Sequence, residues 1–242
     1  MNLKQMISET AETIAVAGDC PMRLRRGRPC LIEEPERRQL LIEAAESVFL
    51  EMGYSAAGVT DIARKAGMSK KTIYRLFDSK ESLFAAVVAA RREAIAIATI
   101  EDAADIESAE KILCQYVAVF ARFILAPRQA AIFRLVIAEA HRAPELSRAF
   151  YREGPTKARM PLVKWLERQH AHGVLCVENA LAAASMLLSM VAADLHMRLL
   201  IGDAGTIDSA TIDRRVRHAV ALFLRGTQIP AQQNKMAGQE RG

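Results

Sequence analysis

A turn that contains Gly67 and Ser69 joins two short helical segments, 60–66 and 69–77, and this spacing constrains the fold more than any other feature. Gly67 can end the first segment in a left-handed conformation at little steric cost. Ser69 can cap the next segment, because its hydroxyl can accept from a free backbone amide of the first turn. Asp61 lies near the positive end of the first segment's dipole. The spacing predicts a helix-turn-helix.

The second segment combines one apolar face with one basic face. Ile73 and Phe77 are expected to be buried, which leaves two lysines, an arginine, a threonine and a tyrosine on the other side. A basic face is often only a solvated face, but here the spacing, the caps and the charge agree. Such a face suits a DNA major groove and its flanking phosphates. The residues expected on it are Lys70, Lys71, Thr72, Tyr74 and Arg75.

Positive charge is concentrated in two places, although the whole chain is only mildly basic. The 242 residues include 33 Lys and Arg against 28 Asp and Glu, a formal net charge of +5. The segment 57–80 carries six basic residues and two acidic ones, and the arm 22–31 places four arginines around Gly27 and Pro29. Since Gly and Pro prevent a stable helix there, the arm is expected to be a cationic extension. Both places suit a polyanionic partner.

Residues 1–21 differ from the arm that follows them, because they carry one lysine against three acidic residues. Two interpretations stay open for this extension: translation that starts at Met22, or a weak N-terminal helix. Neither interpretation assigns it a function.

The rest of the sequence predicts an all-α fold. Gly and Pro are few, at 12 and 8 residues, and apolar residues recur at spacings of three and four. One helix is expected from Pro35 to about Met52, and a break is expected at Gly154-Pro155, because proline disrupts a helix interior. The longer helices expected after the helix-turn-helix are 106–125, 129–141, 144–171, 178–201 and 208–227.

Several functional classes have no sequence support. The chain contains no G-x-S-x-G, P-loop, H-E-x-x-H or paired-cysteine motif. His170 and His172 lie two residues apart and so do not share a helix face, and we expect neither a metal nor a cofactor. Four unpaired cysteines suit reduced thiols in the cytoplasm. The longest uncharged stretch, 179–193, is shorter than the ~20 residues that span a bilayer, which favours a buried helix.

The helix-turn-helix region resembles the TetR family of bacterial transcriptional regulators, over about residues 35–95. A second, less specific similarity links the downstream half to the C-terminal domain of AefR-like members. It rests on 133–142 with Pro144-Glu145-Leu146, and on Phe150-Tyr151, Gly154-Pro155 and Asp194-Leu195-His196. The first similarity rests on Gly53-Tyr54, Val59-Thr60-Asp61-Ile62-Ala63, Ala66-Gly67-Met68-Ser69-Lys70-Lys71-Thr72-Ile73-Tyr74-Arg75-Leu76-Phe77 and Ser79-Lys80-Glu81-Ser82-Leu83-Phe84.

The resemblance implies a homodimeric, ligand-released repressor that binds a palindromic operator in double-stranded DNA. Leu76 departs from the family pattern, which often has histidine or an aromatic residue there, so a phosphate contact is in doubt. Arg26 and Arg28 are similar to an AT-hook core in the minor groove, with an electrostatic tether as the alternative. The resemblance assigns Thr60, Ser69, Lys70, Tyr74 and Lys80 to phosphates, and Lys71, Thr72 and Arg75 to base edges.

The resemblance also implies a domain organisation. We expect an extension and arm at 1–34, a DNA-binding domain at 35–95, a ligand-binding and dimerisation domain at 96–228, and a flexible tail at 229–242. The last two helices are expected to form the dimer interface, through Leu188, Leu195, Val216, Val220 and Phe223, with an intramolecular core as the alternative. By residue type, the candidates for a small-molecule effector pocket are Phe120, Phe123, Phe133, Met160, Trp165 and Met190.

Two other classes of function compete with a regulator. One is an enzyme or cofactor protein built on a helical bundle with an added DNA-binding module. The absence of the catalytic and phosphate-binding motifs named above argues against this class. The other is a non-specific architectural DNA binder, which a specificity ratio on competitor DNA separates from a regulator.

Overall fold

Helices make up all the regular secondary structure in the residues that the structure, a computed structural model, describes: 33–93, 100–203 and 205–227. The predicted all-α fold is therefore confirmed. Arg26, Arg28, the extension and the tail 229–242 lie outside the described residues. The helices are α1 Glu34–Met52, α2 Val59–Ala66, α3 Lys70–Leu76, α4 Lys80–Glu93, α5 Ile106–Ile124, α6 Pro127–Glu139, α7 Pro144–Tyr151, α8 Met160–Ala171, α9 Ala180–Ile201 and α10 Ser209–Thr227.

The predicted break at Gly154-Pro155 is present as a π-helical turn, Arg152–Thr156, between α7 and α8. Pro155 has no backbone N–H, so the regular hydrogen-bond ladder cannot continue through it. Gly154 packs closely on α4: a Cβ at this position would lie 3.2 Å from Val88 Cγ1. The turn therefore brings the α7–α8 junction against the helix that follows the helix-turn-helix.

The first core belongs to α1–α4 but is completed by later helices. Phe49, Ile73 and Phe84 are buried in it together with Ile132 of α6 and Leu146 of α7. The described residues from Pro35 onwards belong to one compact unit. The expected boundary at 95/96 therefore does not separate two independent cores, because α1–α4 bury their apolar faces against α6 and α7.

The second core lies among α5, α8, α9 and α10. Trp165 is fully buried there, and its indole N–H donates to the backbone oxygen of Glu101 at 2.7 Å. Val220 of α10 and Val191 of α9 are also fully buried in this cluster. The C-terminal helices thus form a packed bundle within one chain.

The residues expected to form the dimer interface lie inside this bundle, so that assignment is corrected. Each of them is at most 8% exposed in the single chain. The physical reason is that an apolar stripe on a helix suits a core within one chain as well as an interface between two chains, and α9 is in addition apolar around most of its circumference. The residues concerned are Leu188, Leu195, Val216, Val220 and Phe223.

Helix α9 is long and apolar enough, by length and composition, to cross a membrane. Such a helix is weak evidence for a membrane span, since core helices share these properties. Here Ala184, Leu187 and Val191 of α9 are fully buried against neighbouring helices. The outer face of α9 still exposes apolar side chains, including Met186 and Ile201.

Because Val220 is buried within the single chain, a charged residue at this position is expected to destabilise the fold itself. Val220→Asp should lower the free energy of unfolding by about 3 kcal/mol or more, because an unpaired carboxylate would be buried. His218→Asp on the exposed side of α10 is the control and should change it by less than about 0.5 kcal/mol. Urea unfolding followed by circular dichroism measures both, and equal effects would contradict the assigned burial.

Candidate nucleic-acid interface and effector cavity

The turn between α2 and α3 has the geometry that its sequence predicts. Gly67 adopts φ 64° and ψ 29°, and the Met68 N–H donates to the Ala63 oxygen at 2.9 Å. Ser69 caps α3, because its hydroxyl oxygen accepts from the Thr72 N–H at 3.1 Å. Ile73 is buried on the inner face of α3. The left-handed glycine and the serine cap together set the direction in which α3 leaves α2.

The outer face of α3 is basic and open to solvent. Lys70, Lys71, Tyr74 and Arg75 are exposed, and Tyr74 is 56% exposed despite its aromatic ring. Thr72 is half-buried, with its hydroxyl 2.9 Å from that of Ser69.

The charges on α3 are also free of acidic partners. The neighbouring cations of α2 are paired, Arg64 with Asp61 and Lys65 with Glu51. Over the described ranges, no ion pair involves Lys70, Lys71 or Arg75. Thr60 is exposed in the first turn of α2. The helix-turn-helix thus presents unneutralised cations that could contact phosphates or base edges.

Lys80 lies apart from this face and is already engaged. Its ammonium is 4.4 Å from the centre of the Tyr54 ring and donates to the Ser55 backbone oxygen at 3.3 Å. Burial lowers the pKa of Lys80, against the opposing effects of Glu139 and Glu145. A phosphate contact by Lys80 therefore requires this side chain to share or leave its present partners.

Glu139 joins the α1–α2 connection to α6, and sequence analysis did not single it out in this role. Its buried carboxylate accepts from the Ser55 backbone N–H at 3.2 Å and from the Ser55 hydroxyl. These hydrogen bonds hold the pKa of Glu139 below its ordinary value, with the Ser55 hydroxyl as the largest cause. Nothing in the local sequence marks this glutamate, because its partner lies 84 positions away.

Leu76, the departure from the family pattern, is part of the packing. Its side chain is half-buried against the first core, and its backbone oxygen accepts from Arg38 Nη1 at 3.2 Å. The same guanidinium lies 4.2 Å from the centre of the Phe77 ring. The structure thus gives Leu76 a packing role at the end of α3.

A cavity of about 260 Å³ lies between α4, the α5–α6 region, the α7–α8 junction and α9. Its wall is mostly apolar, and Phe133 stands edge-on to Phe150 with ring centres 4.8 Å apart. Three basic residues that sequence analysis missed also line it, namely Arg91, Arg92 and Arg159. Their signal was absent because Arg159 lies far from Arg91 and Arg92 in the sequence, and only the fold brings it beside them.

The cavity includes half of the expected pocket residues. Phe120, Phe123 and Phe133 line it. The other three do not, and the assignment is corrected for them. Trp165 is fully buried in the second core, Met160 borders a separate surface depression, and Met190 lies on the exposed side of α9. Residue type alone could not distinguish these positions, because methionine and aromatic side chains fill cores as readily as cavity walls.

The described part of the chain contains no cluster of three His, Cys, Asp or Glu residues that could hold a metal ion. Cys114 and Cys176 are free thiols, and burial raises the pKa of Cys114. Cys20 and Cys30 fall outside the described residues.

Two family models match this chain, one over the helix-turn-helix and the start of α4, the other over the C-terminal helices. Residues 41–87 match bacterial regulatory proteins of the tetR family, and residues 111–226 match the C-terminal domain of AefR-like transcriptional repressors. The chain belongs to the TetR family. Both resemblances seen in the sequence are therefore confirmed, and together the matches cover about two thirds of the chain.

Individual TetR-family relatives resemble this chain over different lengths. The transcriptional activator FasR of Mycolicibacterium smegmatis is 45% identical over 64 residues, 26% of this chain and 28% of FasR. The repressor BepR of Brucella suis is 37% identical over 60 residues, 25% of this chain and 29% of BepR. The solved structure of the flavonoid-responsive regulator FrrA is 29% identical with a TM-score of 0.67, covering 81% of this chain and 100% of FrrA. The chain thus matches under a third of FasR and BepR but nearly the whole fold of FrrA.

The positive φ of Gly67 predicts a specific cost for a side chain in the turn. Gly67→Ala should lower the free energy of unfolding by about 1–2 kcal/mol, because an L-residue is strained in the left-handed region. Gly205→Ala is the matched control, since an added Cβ meets open space at both positions and only Gly67 has a positive φ. Chemical denaturation measures both. A Gly67 variant as stable as the Gly205 variant would contradict the turn geometry.

Proposed function

We propose that this protein is a sequence-specific DNA-binding transcriptional regulator that acts as a homodimeric, ligand-released repressor. The observation that carries the proposal is the exposed basic face of α3, which has no ion pair within the described part of the chain and is held by the Gly67 turn and the Ser69 cap. Family membership supports the same activity, which is regulatory and not enzymatic. The protein would act in the cytoplasm on double-stranded operator DNA, in contact with the nucleoid.

Two copies of α3 would read the two halves of a palindrome. In this arrangement each helix enters a major groove, with the half-sites about 34–36 Å apart. Lys71, Thr72 and Arg75 are proposed to reach base edges. Thr60, Ser69, Lys70, Tyr74 and Lys80 are proposed to contact phosphates, and Arg26 and Arg28 the neighbouring minor groove.

Substitutions on α3 should separate base reading from phosphate binding. Arg75→Ala should weaken operator binding by about 1–3 kcal/mol and leave random duplex nearly unchanged, because a bidentate arginine discriminates guanine. Lys70→Ala is the comparison and should weaken both duplexes alike, with a salt slope smaller by about 1. Fluorescence anisotropy titrations at several salt concentrations measure these effects. An equal loss on both duplexes for Arg75→Ala would make it a phosphate contact.

The outer face of α9 is the surface that we propose for dimerisation. Met186, Met190, Met197 and Ile201 recur at spacings that place them on one exposed stripe. Arg215 of α10 donates to the Met190 backbone oxygen at 3.2 Å, so this side of α10 lies beside the stripe. Leu222, two turns further along the same side of α10, is 60% exposed. A continuous apolar surface of this kind marks an interaction site.

Charges on that stripe should dissociate the dimer without unfolding the chain. The double variant Met197→Glu, Ile201→Glu should sediment as a monomer, because both carboxylates would be buried without partners in the interface. Met52→Glu is the control, since Met52 is 47% exposed at the end of α1, a helix that contributes no residue to the second core. Helical content measured by circular dichroism should remain unchanged. A dimer that persists in the double variant would place the interface elsewhere.

Ligand release is proposed to act through α4. Val88, Arg91 and Arg92 of this helix line the cavity, while Leu83 and Phe84 of the same helix are buried in the core of the helix-turn-helix. An effector that fits the cavity better at one position of α4 would favour that position, and with it one separation of the two α3 helices. Repression is supported by the AefR-like similarity of residues 111–226. A reporter gene under the operator tests it: deletion of the regulator should raise expression, and lowered expression would indicate an activator.

A further inference from the structure

The charged side chains that line the cavity are all basic. Arg91, Arg92 and Arg159 line it together with Gln129, and no aspartate or glutamate among the described residues lines it. Arg91 already has two partners, because it donates to Glu46 at 2.8 Å and to Gln129 at 3.1 Å. The other two arginines decide what the cavity can bind.

Arg92 and Arg159 each bury an unsatisfied donor. The Nε atoms of both side chains have no hydrogen-bond partner within the described residues. Arg92 has only a distant ion pair, 3.6 Å from the exposed Glu93, and no ion pair among the described residues involves Arg159. A buried charged donor without a partner is costly, so both guanidinium groups are suited to an anion.

The rest of the lining is mostly apolar. Phe120, Phe123, Ile124, Ile132 and Leu188 contribute to it. The volume of about 260 Å³ is close to the lower end of the range for small-molecule sites, about 300–1,000 Å³. The cavity therefore suits a small molecule with an apolar body and a charged group at one end.

We propose that the effector is an amphipathic anion whose carboxylate or phosphate group binds Arg159 and Arg92, with its apolar body among the phenylalanines. The proposal rests on the proposed function in that this cavity is the effector site. Carboxylate and phosphate share the required chemistry, because both accept charge-assisted, bidentate hydrogen bonds from a guanidinium.

The surface next to the cavity is also rich in basic residues, which favours an anionic ligand. Arg92 also borders a surface depression lined by Lys157, Lys164 and Arg168. Lys157 is paired with Glu153 and Arg168 with Asp102, whereas Lys164 has no ion pair in the part of the chain that the structure describes. A cationic surface beside the cavity raises the local concentration of anions and excludes cationic ligands.

Binding of four ten-carbon probes tests the chemistry of the site directly. Decanoate and decyl phosphate distinguish the two possible anions, and 1-decanol and decylamine share the apolar body without the negative charge. Isothermal titration calorimetry on the full chain without DNA should show at least one anion binding tenfold or more tightly than decanol, and decylamine binding weakest. Decanol binding as tightly as both anions, or no binding by either anion, would overturn the proposal.

Variants then place the anion on the two arginines. Arg159→Met and Arg92→Met should each weaken the preferred anion at least tenfold and leave decanol unchanged. Arg148→Met, on the exposed side of α7, is the matched control and should change neither. Without ligand, Arg159→Met should melt no lower than the unaltered protein, since it removes an unpartnered buried donor. Unchanged anion affinity in both variants would contradict the assignment.

An operator-binding assay distinguishes failure of the anion site from failure of the proposed regulatory function. The arginine variants should still bind operator DNA, but the preferred anion should no longer release them. A protein that binds the anion through Arg159 but has no operator preference would disprove the regulatory role and leave the anion site standing. A regulator that is released by neutral decanol as readily as by the anion would disprove the anion site and leave the regulatory role standing.

Discussion

The arrangement of the N-terminal helices depends on the ion pairs that the buried carboxylate of Glu46 forms with two arginines. One oxygen of this α1 residue accepts from Arg91 of α4 at 2.8 Å and from Arg128 of α6 at 2.7 Å. Replacement of Glu46 by an apolar residue would leave the largely buried guanidinium of Arg91 without its carboxylate, and loss of one partner of a buried ion pair typically costs about 3–5 kcal/mol. The three helices are thereby held together, and Arg91 is fixed in the cavity wall.

Two further contacts make the helix-turn-helix dependent on the rest of the chain. Glu139 of α6 holds the α1–α2 connection through Ser55, and Gly154 allows the α7–α8 junction to approach Val88 of α4. Because α4 belongs both to the first core and to the cavity wall, the proposed ligand release would act on α3 through this helix. Such coupling between the cavity and α3 would require only that α4 can pack in two ways that differ in their affinity for a ligand.

The two faces of α9 differ in what covers them. Its inner face, with Leu187 and Val191, completes the second core. Its outer face exposes methionines and an isoleucine that no part of the described chain covers. A second copy packed there would bury this apolar surface, and it would also set the distance between the two α3 helices.

The sequence by itself determined the elements that depend on local chemistry. The Gly67 turn, the Ser69 cap and the break at Gly154-Pro155 follow from residues next to one another, so they could be predicted together with the all-α fold and the family. The basic face of α3 could be predicted as well, because the burial of Ile73 leaves its lysines and Arg75 outside.

Only the tertiary structure decided which residues meet across the fold. It turned Val220 inward and Met197 outward on helices whose apolar residues are not confined to one side. It also placed Trp165 in a core and Arg159 at a cavity, and it joined Glu139 to Ser55. These outcomes depend on long-range packing, since the free energy of burying a side chain is set by neighbours that lie far away in sequence.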